Sequence, residues 1–338
     1  MKGFQAHVSN IQGLAMSPAG VLLANGMNVN ELRVMSTMLR KEEWMDLDTT
    51  LVNVARKLLN GIADLRTAGL VYNLGSLGVL TSEWESLSSM TDANVDMSGE
   101  ARDTEDSVDF TLQGVPIPII HKGFRLNIRR LEASRRMGSN LDTTNVAEAT
   151  RKVILKQEDM LFNGLSIKND GYSIYGYTTF PHRLMTNIGT AWDAASGQDP
   201  VADVSHMISV LMSKSFYGPF GLYVPVNYWQ PLMEDYDTYK EGTWFSRIMD
   251  FEQISFIKPT SALSSNEVVL VQLTRDVVDL AVGQDITVVP WNEMGGMVSH
   301  FKVMAAMAPR LKYTQDESGN TVSGILHAFE ASTSTTTT

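Results

Sequence analysis

The run Phe124-Arg125-Leu126-Asn127-Ile128, then Arg129, Arg130, Glu132, Arg135, Arg136 and Gly138, then Asn145 through Gly164, then Gly171 through Pro181 decides the fold. Its first part predicts a basic strand, with bulky apolar residues alternating with polar ones. Its second part predicts a long amphipathic helix. Val146, Ala149, Val153, Ile154, Leu155 and Leu161 form a broad apolar surface suited to covering a sheet, and Asn145 stands three residues before Glu148 in the spacing of a capping box. Gly164 supplies a C-terminal stop. From Val146 to Asn163 such a helix spans about 27 Å at ~1.5 Å per residue. Its third part, between Gly171 and Gly176, predicts a Gly-rich aromatic strand.

Upstream, apolar residues at Trp44, Leu47, Leu51, Val54, Ala55, Leu58, Ile62 and Leu65 fall three or four apart and predict one core-packed helix over 42–66. Residues 1–41 read as an arm whose order depends on docking against something else. Strand-like pieces at Val71–Leu74 and Val108–Leu112 flank a polar middle, which predicts a long hairpin or extended loop. Downstream the pattern is mixed. A helix is expected near Ala202–Phe216, and strands at Leu222–Val226, Val268–Leu273, Val277–Val282, Ile286–Val289 and Val298–Met307. Between Asn227 and Tyr236 a short helix is expected to start near Gln230, because Pro231 suits a first turn. The Ser/Thr tail from Ser332 reads as disordered.

The chain has 338 residues, 43% of them hydrophobic, enough for a sizeable core. No apolar run reaches the ~18 residues of a membrane span, and no basic-then-apolar leader opens the sequence. With no cysteine, disulfides and thiolate chemistry are excluded, which fits synthesis in a reducing cytoplasm. A net charge of -11 argues against a general nucleic-acid binder.

Chemistry has little foothold. The six histidines show no paired spacing of metal ligands, and no phosphate-binding Gly loop, dinucleotide fingerprint or nucleophile elbow is present. Glu158 and Asp159 are adjacent, so on a helix they point about 100° apart and do not converge on one substrate atom. The acidic stretch from Asp92 to Asp109 lacks the residue order of a calcium loop. No catalytic residue, cofactor or metal is therefore assigned. A soluble α/β enzyme, such as a hydrolase, using scattered carboxylates stands as the enzymatic alternative, without a motif behind it.

Four further segments carry a family resemblance together with the central run. They are Glu43-Trp44-Met45-Asp46-Leu47-Asp48, Ala55-Arg56-Lys57, Gly75-Ser76-Leu77-Gly78 and Ala281-Val282-Gly283-Gln284-Asp285-Ile286. In this order they resemble the encapsulin shell proteins and the tailed-bacteriophage major capsid proteins of the same Hong Kong 97-type fold. The resemblance covers most of the chain from Glu43 onward. It implies an α+β capsid fold with an N-terminal arm (1–41), a peripheral-domain helix (42–71) and an extended loop (72–122). Next would come a peripheral domain (123–181) with its spine helix at 145–163, an axial domain (182–285), returning peripheral strands (286–331) and a tail (332–338). It also implies self-assembly into hexamers and pentamers of an icosahedral head in the virion, formed in a bacterial host cytoplasm. Portal, scaffold and decoration proteins would be the partners, and double-stranded DNA would be enclosed without sequence-specific contacts or membrane.

The 43 residues ahead of Trp44 and the long extended loop depart from the encapsulin pattern and favour the viral branch. A cargo-packaging encapsulin is the alternative. Charge distribution adds one expectation. Asp92, Asp96, Glu100, Asp103, Glu105, Asp106 and Asp109 surround only Arg102, whereas Lys122, Arg125, Arg129, Arg130, Arg135 and Arg136 surround only Glu132. The two segments carry -6 and +5, and intersubunit pairing between them is the expected use. Exposed pairs contribute only ~0.2 to 1 kcal/mol each, so repetition over a shell would be needed.

Overall fold

The computed structural model describes residues 45–46, 49–51, 53, 60–87, 90, 97, 107–108, 110–127, 144–194, 197–237, 240–293, 298–315 and 320–330. Helix α1 spans Gly61–Thr67, followed by β1 (Val71–Asn73), β2 (Thr81–Leu87), β3 (Phe110–Pro116) and β4 (Ile119–Asn127). Helix α2 (Thr144–Asn163) leads into β5 (Leu165–Asn169), β6 (Tyr172–Ile174) and β7 (Leu184–Ile188). Then come α3 (Pro200–Met212), β8 (Phe220–Pro225), α4 (Val226–Leu232), β9 (Asp235–Asp237), β10 (Lys240–Thr243) and α5 (Trp244–Met249). Strands β11 (Ile254–Thr260), β12 (Glu267–Gln272), β13 (Val278–Glu293), β14 (Val298–Leu311), β15 (Thr314–Gln315), β16 (Thr321–Val322) and β17 (Ile325–Glu330) complete the order.

Two sheets organise these elements. The first has the order β1-β13-β14-β4, and α2 packs over β4 and β14. Of the apolar surface expected on α2, Val146, Ala149, Val153, Ile154 and Leu161 are buried and Leu155 is half-buried, and Gly164 ends the helix at φ +74, a conformation that side chains with a Cβ avoid. The second sheet has the order β11-β8-β12-β17-β7, with β8 buried along its whole length. Helix α3 packs on β7 and β17, while α4 and α5 pack near β8 and β11. Asp199 caps α3 by accepting from the Ala202 N–H at 3.0 Å, with Pro200 in the first turn. Rings of Phe162 at the end of α2 and Tyr223 on β8 meet edge to face, 5.1 Å between centroids, and join the two parts of the core.

Several sequence expectations are corrected. The helix expected over 42–66 is not continuous. The described residues 45–46, 49–51 and 53 are helical, but Asn60 breaks the run at φ -104, ψ -71 and α1 starts afresh at Gly61. The cause is tertiary: the Glu158 carboxylate accepts backbone N–H groups of Asn60 (3.0 Å), Gly61 (3.2 Å) and Ile62 (3.2 Å), which supplies a new helix N-terminus. The Asn145 capping box does not form. Asn145 lies inside α2, and Glu148 instead sits 3.6 Å from both Arg151 and Lys152. Pro231 does not start α4 but lies near its end, one residue before Leu232.

The strands expected at 277–282 and 286–289 are one strand, β13, because shifts of register between Val282 and Gln284 and between Gln284 and Thr287 absorb the intervening residues. The grouping of 286–331 as one set of returning strands is divided by hydrogen bonding. Strand β14 pairs in the first sheet, whereas β17 pairs antiparallel with β12 and parallel with β7 in the second. Residues 1–41 and 332–338 lie outside the described residues.

Candidate assembly interface

The hairpin β2/β3 pairs in uninterrupted register from Thr81↔Pro116 to Leu87↔Phe110; of the two strand-like pieces expected to flank the polar middle, Val108–Leu112 runs into β3, but Val71–Leu74 is not the other arm, because Val71–Asn73 pairs parallel with β13 in the first sheet. The root of the hairpin is fixed by a buried ion pair. Asp279 of β13 and Arg310 of β14 are cross-strand partners, and the guanidinium donates to both carboxylate oxygens at 2.5 and 2.6 Å. Lys312 Nζ reaches the same carboxylate at 2.9 Å. The Arg310 side chain is only 7% exposed, and its plane is used twice more: its centre lies 3.9 Å from the Tyr72 ring centroid and 5.5 Å from that of Trp84. Its Nη1 also donates to Ser82 Oγ at 3.3 Å. One residue thus ties β1, β2, β13 and β14 together.

Further contacts aim the hairpin. Ser86 Oγ donates to the Tyr313 carbonyl at 3.2 Å, so β2 runs alongside the chain that continues beyond β14. Asn169 Nδ2 donates to Thr81 Oγ1 at 3.2 Å. A cavity of about 250 Å³ lies between the hairpin and the end of β14, lined by Trp84, Gln113, Tyr172, His182 and Tyr313 among others. His182 contacts Thr321 Oγ1 through Nδ1 at 2.7 Å, and burial lowers its imidazole pKa. Leu80, Phe110 and Leu112 at the hairpin remain largely exposed, an apolar surface that the described residues do not cover.

A second constellation joins α1 to α2 and the second sheet. Besides receiving the three N–H groups, Glu158 is buried, and desolvation raises its carboxyl to about pKa 7 against the opposing pull of those hydrogen bonds. Asp64 accepts from Tyr223 OH at 3.0 Å and pairs with Lys258. Burial raises the phenol pKa values of Tyr177 and Tyr223 further. Asp159, the neighbour of Glu158, points away and pairs with Lys156 at 2.6 Å, as helical geometry requires. These groups clamp α1, α2 and the second sheet together, and Glu158 and Asp159 also line a cavity of about 440 Å³ with Leu155, Asn163 and Ala262. Among the described residues no group of His, Asp and Glu is arranged to hold a metal ion, and no helix is long and apolar enough to cross a membrane.

Of the residues expected at an intersubunit contact, Arg125 is described: it is exposed on β4, an edge strand of the first sheet. Asp92, Asp96, Glu100, Asp103, Glu105, Asp106, Asp109, Arg129, Arg130, Glu132, Arg135 and Arg136 lie outside the described residues. Sequence reasoning missed Asp279 and Arg310, and weighed Glu158 only as one of two adjacent carboxylates and not as a clamp on α1. A signal existed for the first two, each a single charge inside an apolar strand: Val277-Val278-Asp279-Leu280 and Ala308-Pro309-Arg310-Leu311.

Comparison with known families fits this architecture. The model of DUF6260, described as a family of unknown function, matches residues 33–326. The chain belongs to DUF6260. This DUF6260 member is 26% identical over 282 residues to the type 1 encapsulin shell protein EncA of Myxococcus xanthus, covering 81% of the chain and 91% of EncA. Its fold is similar to a virus-like particle protein from Pyrococcus furiosus, with a TM-score of 0.60 and 19% identity, covering 85% of this chain and 99% of that one. It is also similar to the capsid of Myoviridae phage XM1, with a TM-score of 0.57 and 12% identity, covering 81% and 93%. The DUF6260 fold seen here is the Hong Kong 97-type fold shared by phage capsid proteins and encapsulin shells, as the resemblance of the sequence implies. Two of the quoted motifs meet in space: a Cβ on Gly283 would lie 3.1 Å from the Ser76 carbonyl oxygen, and just before the first motif the Leu74 N–H donates to the Val282 carbonyl at 2.8 Å.

Proposed function

We propose that this protein is the major capsid protein of a tailed bacteriophage, a structural subunit that assembles with itself into hexamers and pentamers of an icosahedral head around double-stranded DNA. The observation that carries the reading is the fold, which follows capsid and virus-like particle subunits over four fifths or more of the chain. Its work is association: each copy covers apolar surface of its neighbours, including the exposed Phe110 and Leu112, and closed symmetry leaves no free interface. In this reading the β2/β3 hairpin is the stem of the extended loop, and α2 with the first sheet forms the peripheral domain. The second sheet, β17 included, forms the axial domain. Portal, scaffold or decoration proteins would meet the finished head from outside this chain.

A second reading is favoured by the sequence comparison. The 26% identity with EncA, over 91% of that protein, supports a nanocompartment shell that packages protein cargo. Purification with the neighbouring gene products, followed by electron microscopy and nucleic-acid absorbance on the same fractions, separates the two. Large angular heads containing DNA support the capsid, and small uniform shells carrying protein and no DNA support the compartment. A small oligomer with no shell under any condition overturns both.

A further inference from the structure

Side chains alternate along β2, and Ser82, Trp84 and Ser86 share the face that packs on the end of β14. Ser82 Oγ accepts from Arg310, the Trp84 ring centroid lies 5.5 Å from the Arg310 guanidinium centre, and Ser86 Oγ donates to the Tyr313 carbonyl. Gln113 is the cross-strand partner of Trp84 and so stands on the same face. Both residues line the cavity of about 250 Å³ at the root of the hairpin. Both also carry a buried N–H group, Trp84 Nε1 and Gln113 Nε2, for which the described residues provide no acceptor. A buried donor without a partner is costly, so two of them in one cavity favour a guest that accepts hydrogen bonds.

The rest of the wall is aromatic and held in place. Tyr172 lies against Gly114, where an added Cβ would come 2.7 Å from its ring. His182 contacts Thr321 Oγ1 through Nδ1 and packs on both Phe180 and Tyr313, with ring centroids 5.5 and 4.1 Å away. Charge also favours an electron-rich guest. The ionic cluster that Trp84 packs on holds two cations, Arg310 and Lys312, against one carboxylate, Asp279. Glu83, a neighbour of Tyr172, is the cross-strand partner of Gly114 and belongs to the other face of the hairpin.

We propose that this cavity binds a small aromatic molecule bearing a carbonyl or carboxylate oxygen, its ring among Tyr172, Phe180 and Tyr313 and its oxygen accepting from Trp84 and Gln113. The inference does not depend on the shell reading, because every group it uses belongs to one copy of the chain. Size limits the ring system. An apolar cavity of ~150 Å³ holds a benzene, and pockets for drug-sized ligands begin near ~300 Å³. About 250 Å³ therefore takes one ring with an acceptor group, or a fused pair. An amine would set donor against donor at Trp84 and Gln113, beside a cluster that is already cationic. A ring without an acceptor would leave both N–H groups unpaired.

Those two contrasts supply the test. Full-length protein is titrated with four single-ring probes, benzamide, benzoate, toluene and benzylamine, and binding is read by ligand-observed saturation-transfer NMR. Benzamide and benzoate are expected to bind, toluene at least ~10-fold more weakly because it forgoes both hydrogen bonds, and benzylamine most weakly. Trp84→Phe/Gln113→Leu keeps a ring over Arg310 and removes both donors. In that variant benzamide is expected to fall to the level of toluene while toluene binds as it does to wild type, a result that misfolding cannot produce. If the variant does not fold, the contrast between benzamide and toluene in wild type decides. Equal affinity of wild type for those two probes, tighter binding of benzylamine than of benzamide, or benzamide binding that the double substitution leaves unchanged overturns the proposal. So does a failure of every probe to bind at millimolar concentration, since the two donors would then serve water alone.

Discussion

Replacing Arg310 by Met removes the one side chain that ties four strands together at the root of the hairpin. The cost follows from burial: Asp279, with its side chain 6% exposed, loses two charge-assisted hydrogen bonds and keeps only Lys312 at 2.9 Å. Breaking a buried pair from one side costs about 3–5 kcal/mol, and the remaining lysine places this case near the lower end, ~3 kcal/mol. The substitution also removes the stacking on Tyr72 and Trp84. Urea unfolding of unassembled protein, followed by tryptophan fluorescence, should show the loss as a lower midpoint. The double variant Arg310→Met/Asp279→Val removes both buried charges and should recover all but ~1 kcal/mol, because apolar side chains of similar volume replace such pairs with little loss. A double variant as unstable as the single one would refute the reasoning, since the cost would then lie in packing and not in an orphaned carboxylate.

Three other outcomes are expected. Glu158 has its folded pKa raised from 4.5 to about 7, so the stability it contributes is fully present below about pH 4.5 and is lost as pH rises through about 7; subtracting the melting temperatures of Glu158→Gln from those of wild type should leave that slope, and a flat difference would contradict it. Gly176→Ala puts a Cβ 2.4 Å from backbone atoms of Phe162 and Gly164, which cannot retreat, and should cost more than ~3 kcal/mol, read as loss of folded protein in circular dichroism. Phe110→Ser/Leu112→Ser changes exposed residues and should leave the unassembled protein within ~0.5 kcal/mol of wild type in urea, yet lower shell yield measured by sedimentation.

Long-period patterns in the sequence survive folding. Val146, Val153 and Leu161 mark the buried side of α2 and Gly164 its end, because one helix on one sheet leaves the apolar period undisturbed. Only one arm of the hairpin is legible: Val108–Leu112 leads into β3, whereas the piece at Val71–Leu74 pairs with β13 and the true partner, Thr81–Leu87, carries too many polar residues to stand out. Features decided by distant residues are not legible. The break at Asn60 depends on Glu158, 98 positions away, and an apolar period that runs through 42–66 carries no trace of it. The fusion of two short strands into β13 depends on bulges that only a paired strand reveals. The opposite charges of 92–109 and 122–136 can be counted from sequence, but whether Arg125 and Lys122 share a face depends on the register with His300 and Val303. The same register brings Lys302 and Trp291 to Arg125 from more than 150 positions away.

The most direct test of the central claim is a cryo-electron microscopy reconstruction of the particles formed by the full-length protein. The account predicts a closed shell with icosahedral symmetry, pentamers at its vertices, and the β2/β3 hairpin of each subunit reaching a neighbour. A discrete small oligomer, with the β2/β3 hairpin folded onto its own subunit, would contradict it.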